Sequence, residues 1–216
     1  MSIIKQQFLQ YKSSWINSAF SGLSCDENKQ NIPWFSYPAI ANLQQLTADK
    51  LIFEFGCGSS TLFFLSKNQR VISLETNKIW FKTIAGEVFG KYGGTFVENA
   101  FFSEKCSLFL LENAYQNPAY YQFLHRYPLD YFDIIVVDSL HRYQCSINSL
   151  SHLKKDGILI VDDFERRNYQ KIADHLQNLQ YRRYDFIGIA PASLKIKNTA
   201  MFRAEVNNCL NAICYL

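Results

Sequence analysis

The 216 residues suffice for one domain, or one domain with an added arm, and exclude two full ones. A content of 48% hydrophobic and 19% charged residues excludes extended disorder, and 18 Phe with 13 Tyr point to aromatic packing or an aromatic-lined pocket. A formal net charge of +3, with the basic residues in short pairs such as Arg166-Arg167 and Arg182-Arg183, is too small to imply a nucleic-acid partner.

At the amino terminus, "MSIIKQQFLQYKSSWINSAF" has the periodicity of an amphipathic helix, and Lys5, Gln6, Gln7, Gln10 and Lys12 interrupt what a signal peptide would keep apolar. No stretch approaches the roughly 18 apolar residues of a membrane span, so a soluble, cytoplasmic protein is expected. "NIPWFSYPAIANLQQL" follows, opening with Pro33 and aromatics before turning helical. Residues 1–48 read as a helical arm that either packs on the domain or covers a substrate, with the domain proper at 49–216. The six cysteines, Cys25, Cys57, Cys106, Cys145, Cys209 and Cys214, contain no C-x-x-C pair and read as free thiols.

Short apolar runs then alternate with helix-sized segments: "KLIFEF", "RVISLE", "GTFVEN", "YFDIIVVD", "GILIVDD", "RYDFIGIA" and "TAMFRAEV". Such alternation gives βαβ units, and the unbroken apolarity of "IIVV" and "ILIV" fits strands covered on both faces. The expected fold is a doubly wound α/β domain with a mostly parallel, seven-stranded sheet. "PASLKIKNT" is too short for a crossover helix, so the last two strands should form an antiparallel hairpin. "SLFLLENAYQNPAYYQFLHRYP" is longer and more aromatic than a crossover needs, and reads as an insertion near the substrate.

"FEFGCGSST" ends the first run. Gly56 and Gly58 allow a sharp turn and close approach to a ligand. A dinucleotide fingerprint would need glycine at 61, where the chain has the β-branched Thr61. Glu54 could balance the ammonium group of S-adenosylmethionine, and a Ser59 or Ser60 hydroxyl could cap the next helix. The stretch resembles motif I (E/D-x-G-x-G-x-G) of the class I S-adenosylmethionine-dependent methyltransferases, with Ser60 in place of the last glycine. Glu75, about seventeen residues past Gly58, stands where a carboxylate accepts both ribose hydroxyls; an acid that merely ends a strand is the alternative. In "FVENA", Asn99, or Glu98 next to it, resembles the group these enzymes place beside the adenine amino group; a surface turn is the alternative.

In open α/β sheets the ligand lies beyond the carboxyl ends of the strands where their order reverses. With the strand order of class I methyltransferases, "VVDSLHRY" would face "FGCGSS", and "LIVDDFERR" would bring Asp162 and Asp163 to the same rim as Asp138. Three converging carboxylates need a cation or raised pKa values, and a hard divalent ion such as Mg²⁺ suits oxygen ligands. The alternative is that Asp162 caps a helix and Asp138 only orders the crevice. His141, three residues after Asp138, shares its face if a helix starts there, and could take a hydroxyl proton.

"VVDSLHRYQCSINSLSHLKKDGILIVDDF" resembles the D-G-x-H-x-Y…GG-x-I-x-x-D-D pattern of metal-dependent macrolide sugar O-methyltransferases, matching at Asp138, His141, Tyr143, Gly157, Asp162 and Asp163 and departing at Ser139 and Asp156. The resemblance implies Asp138, Asp162 and Asp163 as metal ligands, His141 as base and a small-molecule or sugar acceptor; membrane and nucleic-acid partners are not expected, and a homo-oligomer is compatible with it. An NAD-dependent oxidoreductase and a non-catalytic binding protein of the same fold are the other readings.

Overall fold

The computed structural model describes residues 3–205. The amino-terminal arm supplies helices α1 (Ile3–Ser21) and α2 (Tyr37–Leu43). The core follows as β1 (Leu51–Phe55), α3 (Ser59–Ser66), β2 (Arg70–Glu75) and α4 (Lys78–Tyr92). Three short strands come next, β3 (Thr95–Val97), β4 (Ala100–Phe102) and β5 (Cys106–Leu110). The remainder is β6 (Phe132–Val137), α5 (Arg142–Ser149), β7 (Leu153–Val161), α6 (Gln170–Asn178), β8 (Tyr181–Ala190) and β9 (Ser193–Ala204).

These strands form one nine-stranded sheet in the order β3-β4-β5-β2-β1-β6-β7-β9-β8. The central β5-β2-β1-β6-β7 block is parallel throughout, and its order reverses between β1 and β6 as expected. The terminal hairpin is also as expected: β9 runs antiparallel to both β7 and β8. The surplus over seven strands lies at the opposite edge, where β3 and β4 add an antiparallel extension.

That edge corrects the third strand. The neighbour of β2 is "CSLFL", the start of the stretch read as an insertion, while "TFV" is the outermost strand. β5 buries Cys106, Leu108 and Leu110 at period two, whereas all three residues of β3 are exposed. The apolar run "SLFLL" carries no polar partner residues that would separate strand from helix, which is why its period was not legible.

Side chains alternate between the two faces of the sheet. Ile52, Val71, Ile134 and Ile160 meet α3, α4 and the arm, while Phe53, Phe55, Ile135 and Val161 meet α5, α6 and the segment after β5. Of the stretch read as an insertion, residues 107–110 belong to β5, and in the rest Tyr120, Phe123 and Leu124 are buried in the second layer. The arm is packed as well: α3 is buried on every side from Ser59 to Leu65, in part under Ile32, Phe35 and Tyr37. Ser36 caps α2, donates its hydroxyl to Phe186 O (2.7 Å) and donates its amide to Thr199 Oγ1 (3.1 Å). Cys25, Cys57, Cys106 and Cys145 are buried free thiols; Cys209 and Cys214 lie outside the described residues. Among the described residues no helix is long and apolar enough to cross a membrane.

Candidate functional site

The carboxyl ends of β2, β1, β6 and β7 are stitched into one rim. Gly56 N donates to Leu74 O (2.8 Å), Asp138 N to Phe55 O (3.1 Å) and Asp162 N to Val137 O (3.2 Å), each bond extending the parallel ladder by one step. At the reversal lies a crevice of about 340 Å³ lined by Trp34, residues 56–60, Glu75, Trp80, Asp138 and Ser139.

Gly56 is required on two grounds. Its φ of +97° is left-handed, and a Cβ there would lie 2.8 Å from Asp138 O and 3.2 Å from Ser139 Cβ. Gly58 is different, since its backbone is extended and an added Cβ would make ordinary contact with Trp80 at 3.6 Å. The turn therefore rests on one glycine, and the second keeps the approach to the crevice open.

Glu75 is where the sequence placed it. Its Oε1 accepts from the amides of Thr76 (2.7 Å) and Asn77 (2.8 Å), and its Oε2 from the amide of Cys57 (3.0 Å). The carboxylate is thus pinned at the floor of the crevice, with acceptor capacity left on Oε2.

Glu54 does not line the crevice. Strand alternation turns it with Ile52 under α3, fully buried, where its Oε2 accepts from Thr61 Oγ1 (2.6 Å) and Ser73 Oγ (2.8 Å) while Oε1 is buried without a partner. Burial is the main cause that pushes its pKa up to about 7, against the pull of these hydroxyls. It acts on the loop from behind: Thr61 Oγ1 also accepts from Gly58 N (3.0 Å). That bond gives Thr61 the capping role expected of Ser59 or Ser60. Ser59 Oγ instead accepts from Ser24 N of the arm (3.0 Å), and Ser60 lines the crevice.

Asn99 sits exposed in the β3–β4 turn, and its carbonyl receives Leu110 N (2.8 Å). It does not end the strand beside β2; that position belongs to Leu110 and the Leu111-Glu112 that follow.

Asp138, Asp162 and Asp163 do converge, with one oxygen of each within 4.8 Å of the others. Their charges are met by side chains. Arg142 Nη2 reaches Asp138 Oδ1 (2.7 Å) and Asp163 Oδ2 (3.2 Å), Lys197 Nζ reaches Asp162 Oδ2 and Asp163 Oδ1 (2.8 Å each), and Arg166 pairs with Asp163. Thr199 Oγ1 donates to Asp162 Oδ1 (2.7 Å), and the next α-helix, α6, starts only at Gln170 with Tyr169 at its N-cap, so Asp162 does not cap it. Burial pushes both Asp138 and Asp162 up, with Asp162 adding to the effect on Asp138, while Arg142 and Lys197 oppose it; Asp163 is held low by Lys197, Arg142 and Arg166 despite its burial. Both oxygens of Asp162 and of Asp163 are engaged with donors, and a guanidinium and an ammonium stand between the acids. The positive charge already between the acids repels a divalent ion and occupies the bridging positions it would need, so the residues present do not fit it.

His141 departs from the expected placement. It adopts a left-handed conformation (φ 52°), and α5 begins only at Arg142, so Asp138 and His141 share no helical face. Its Nε2 lies 3.2 Å from Ala114 O, and the rings of Tyr115 and Tyr121 stand 5.9 and 5.7 Å from its own. A carbonyl only accepts, so Nε2 carries the proton and Nδ1 of the neutral ring is the basic nitrogen.

Several site residues were not anticipated: Trp34, Trp80, Arg142 and Lys197. Trp80 donates to Cys57 O (2.5 Å), and Trp34 to Pro191 O (2.8 Å). Arg142 opens α5 and reaches back across the non-helical residues 139–141 to Asp138, so neither it nor Lys197 had a local signal.

No protein-family model matches the chain, and no curated sequence does. Solved structures do. A precorrin-6y C5,15-methyltransferase from Geobacter metallireducens superposes with a TM-score of 0.53 at 15% identity, over 77% of this chain and 87% of that one. The fold is that of a methyltransferase. A Burkholderia thailandensis 1,6-didemethyltoxoflavin-N1-methyltransferase with bound S-adenosylhomocysteine gives 0.51 at 13% identity (77% and 76% covered). A putative rRNA-methylase from Clostridium thermocellum gives 0.52 at 12% identity (76% and 91% covered). At these identities the likeness is one of fold.

Proposed function

We propose that the chain is an S-adenosylmethionine-dependent methyltransferase acting on a hydroxyl of a small molecule or sugar. The observation that carries this is the lining of the crevice: among the described residues there, Glu75 and Asp138 are acidic, Trp34 and Trp80 are aromatic, and none is basic. A dinucleotide brings a pyrophosphate, which the Glu75 carboxylate repels and no basic residue of the lining attracts. Gly58 N and Cys57 N, the amides that would cradle it, are already given to Thr61 and Glu75. S-adenosylmethionine brings a sulfonium and an ammonium, which carboxylates attract and aromatic faces tolerate.

In this reading Glu75 Oε2 receives the ribose hydroxyls, Gly56, Gly58 and Ser60 border the amino-acid end, and Leu111-Glu112 take the place intended for Asn99 beside the adenine. Bound there, the donor supplies an electrophilic methyl group. The chain must then orient an oxygen nucleophile in line with it and remove a proton. His141 is the group for the proton: Ala114 fixes its tautomer, which leaves Nδ1 as base, and the Tyr115 and Tyr121 rings beside it offer an apolar bed for an acceptor ring. Asp138 orders the rim between donor and acceptor through Arg142. Because the rim acids are neutralised by side chains, no step is assigned to a metal.

Calorimetric titration tests the donor. S-adenosylhomocysteine should bind and NADH should not; the reverse would eliminate the reading. With an acceptor in hand, His141→Gln should lower turnover by roughly 10²–10⁴-fold and leave S-adenosylhomocysteine binding unchanged.

A further inference from the structure

Three carboxyl groups converge at the rim, and three cationic side chains, Arg142, Lys197 and Arg166, lie within bonding distance of them. Lys197 is the central member. Its Nζ is equidistant, at 2.8 Å, from an oxygen of Asp162 and one of Asp163, which is the bridging position an ion would take between two carboxylates. Asp162 is almost wholly buried, so it could not remain ionised without such a partner. Arg142 bridges Asp163 to Asp138 in the same way. A divalent ion entering this cluster would have to displace Lys197 or stand within a few ångströms of two fixed cations.

We infer that Lys197 and Arg142 stand in the place of a divalent ion, so that the rim's positive charge is built into the chain and is not taken from solution. Lys197 comes from the terminal hairpin, and its third donor direction reaches Trp34 O (3.4 Å) in the arm. The same ammonium therefore holds the β7 acids together and ties them to the residue that walls the crevice. Trp34 Nε1 on Pro191 O and Ser36 on Thr199 and Phe186 fasten that part of the arm to the same hairpin. Lys197 is accordingly a positioning residue for the crevice wall. The inference concerns the ion site alone and stands or falls apart from the identity of the methyl donor.

The test is a titration of the full chain with Mn²⁺, free ion being followed by its paramagnetic resonance signal. The wild type should show no saturable site. Lys197→Met removes the bridging ammonium and should create one, and adding Asp162→Asn should abolish it; Lys197→Arg should remain unable to bind. Circular dichroism checks that each variant folds, and Lys197→Gln, which keeps a donor for Asp162, replaces Lys197→Met if the latter does not. Saturable binding to the wild type that Asp138→Asn removes would overturn the inference, as would a folded Lys197→Met or Lys197→Gln with no gained site.

Discussion

Two groups of acids face each other across the strand reversal, and they are held in opposite ways. On the β1–β2 side, Glu75 is fixed by the backbone amides of Cys57, Thr76 and Asn77, and Glu54 by the hydroxyls of Thr61 and Ser73. On the β6–β7 side, Asp138, Asp162 and Asp163 are held by Arg142, Lys197 and Arg166. Neutral donors position a carboxylate without cancelling its charge, so Glu75 can still attract a cationic ligand. Cationic side chains cancel it, and the second group is closed to an ion. What an acid at a strand end does therefore depends less on its position than on what its oxygens already hold.

The largest expected effect breaks the charge balance on the second side. Arg142→Met leaves Asp138 without its cation, although Asp163 keeps Lys197 and Arg166, and should cost roughly 3–5 kcal/mol in urea unfolding; a loss well under 1 kcal/mol would mean Asp138 is neutralised otherwise.

Next is the pH dependence of the first side. The folded pKa of Glu54 is raised from 4.5 to about 7, so its contribution to stability is fully present below 4.5 and is lost as pH rises through about 7. Wild type should lose on the order of 2–3 kcal/mol relative to Glu54→Gln over that window. Parallel stability curves for the two proteins would show that Glu54 is not the buried acid responsible.

Gly56→Ala forces an alanine to a φ of +97° with its Cβ against the Asp138 carbonyl. It should destabilise by about 1–3 kcal/mol and weaken S-adenosylhomocysteine binding, since the two sides of the reversal meet there. Full affinity in the variant would separate the turn from the ligand site.

Smallest is Glu75→Gln, which keeps the shape and removes the charge. Affinity for S-adenosylhomocysteine should fall by about tenfold, the equivalent of about 1.4 kcal/mol. Unchanged affinity would take the ribose role away from Glu75.

The reversal of the sheet followed from the resemblance to class I methyltransferases, while the parallel sheet and the terminal hairpin were legible in contiguous runs, since the mostly β-branched "IIVV" and "ILIV" fit covered strands and "PASLKIKNT" is too short for a helix. Gly56, Glu75 and the three aspartates were legible for the same reason, being fixed by position at a strand end. What was not legible depends on partners far away in sequence. Lys197 meets Asp162 only because β9 pairs with β7 across 35 residues. Glu54 looked free to reach a ligand, but the parity of β1 turns it inward to Thr61. "CSLFL" lost its strand identity to an apolar run without period, and that left Asn99 in the turn of the outer β3–β4 pair, two strands from the one assumed. His141 was misplaced by a left-handed residue just before α5, a local conformation that no spacing announces.

The most direct test of the open-versus-closed account is one calorimetric experiment, S-adenosylhomocysteine titrated into the wild-type protein with and without excess EDTA. The account predicts binding of the same affinity in both. No binding, or binding that EDTA removes, would contradict it.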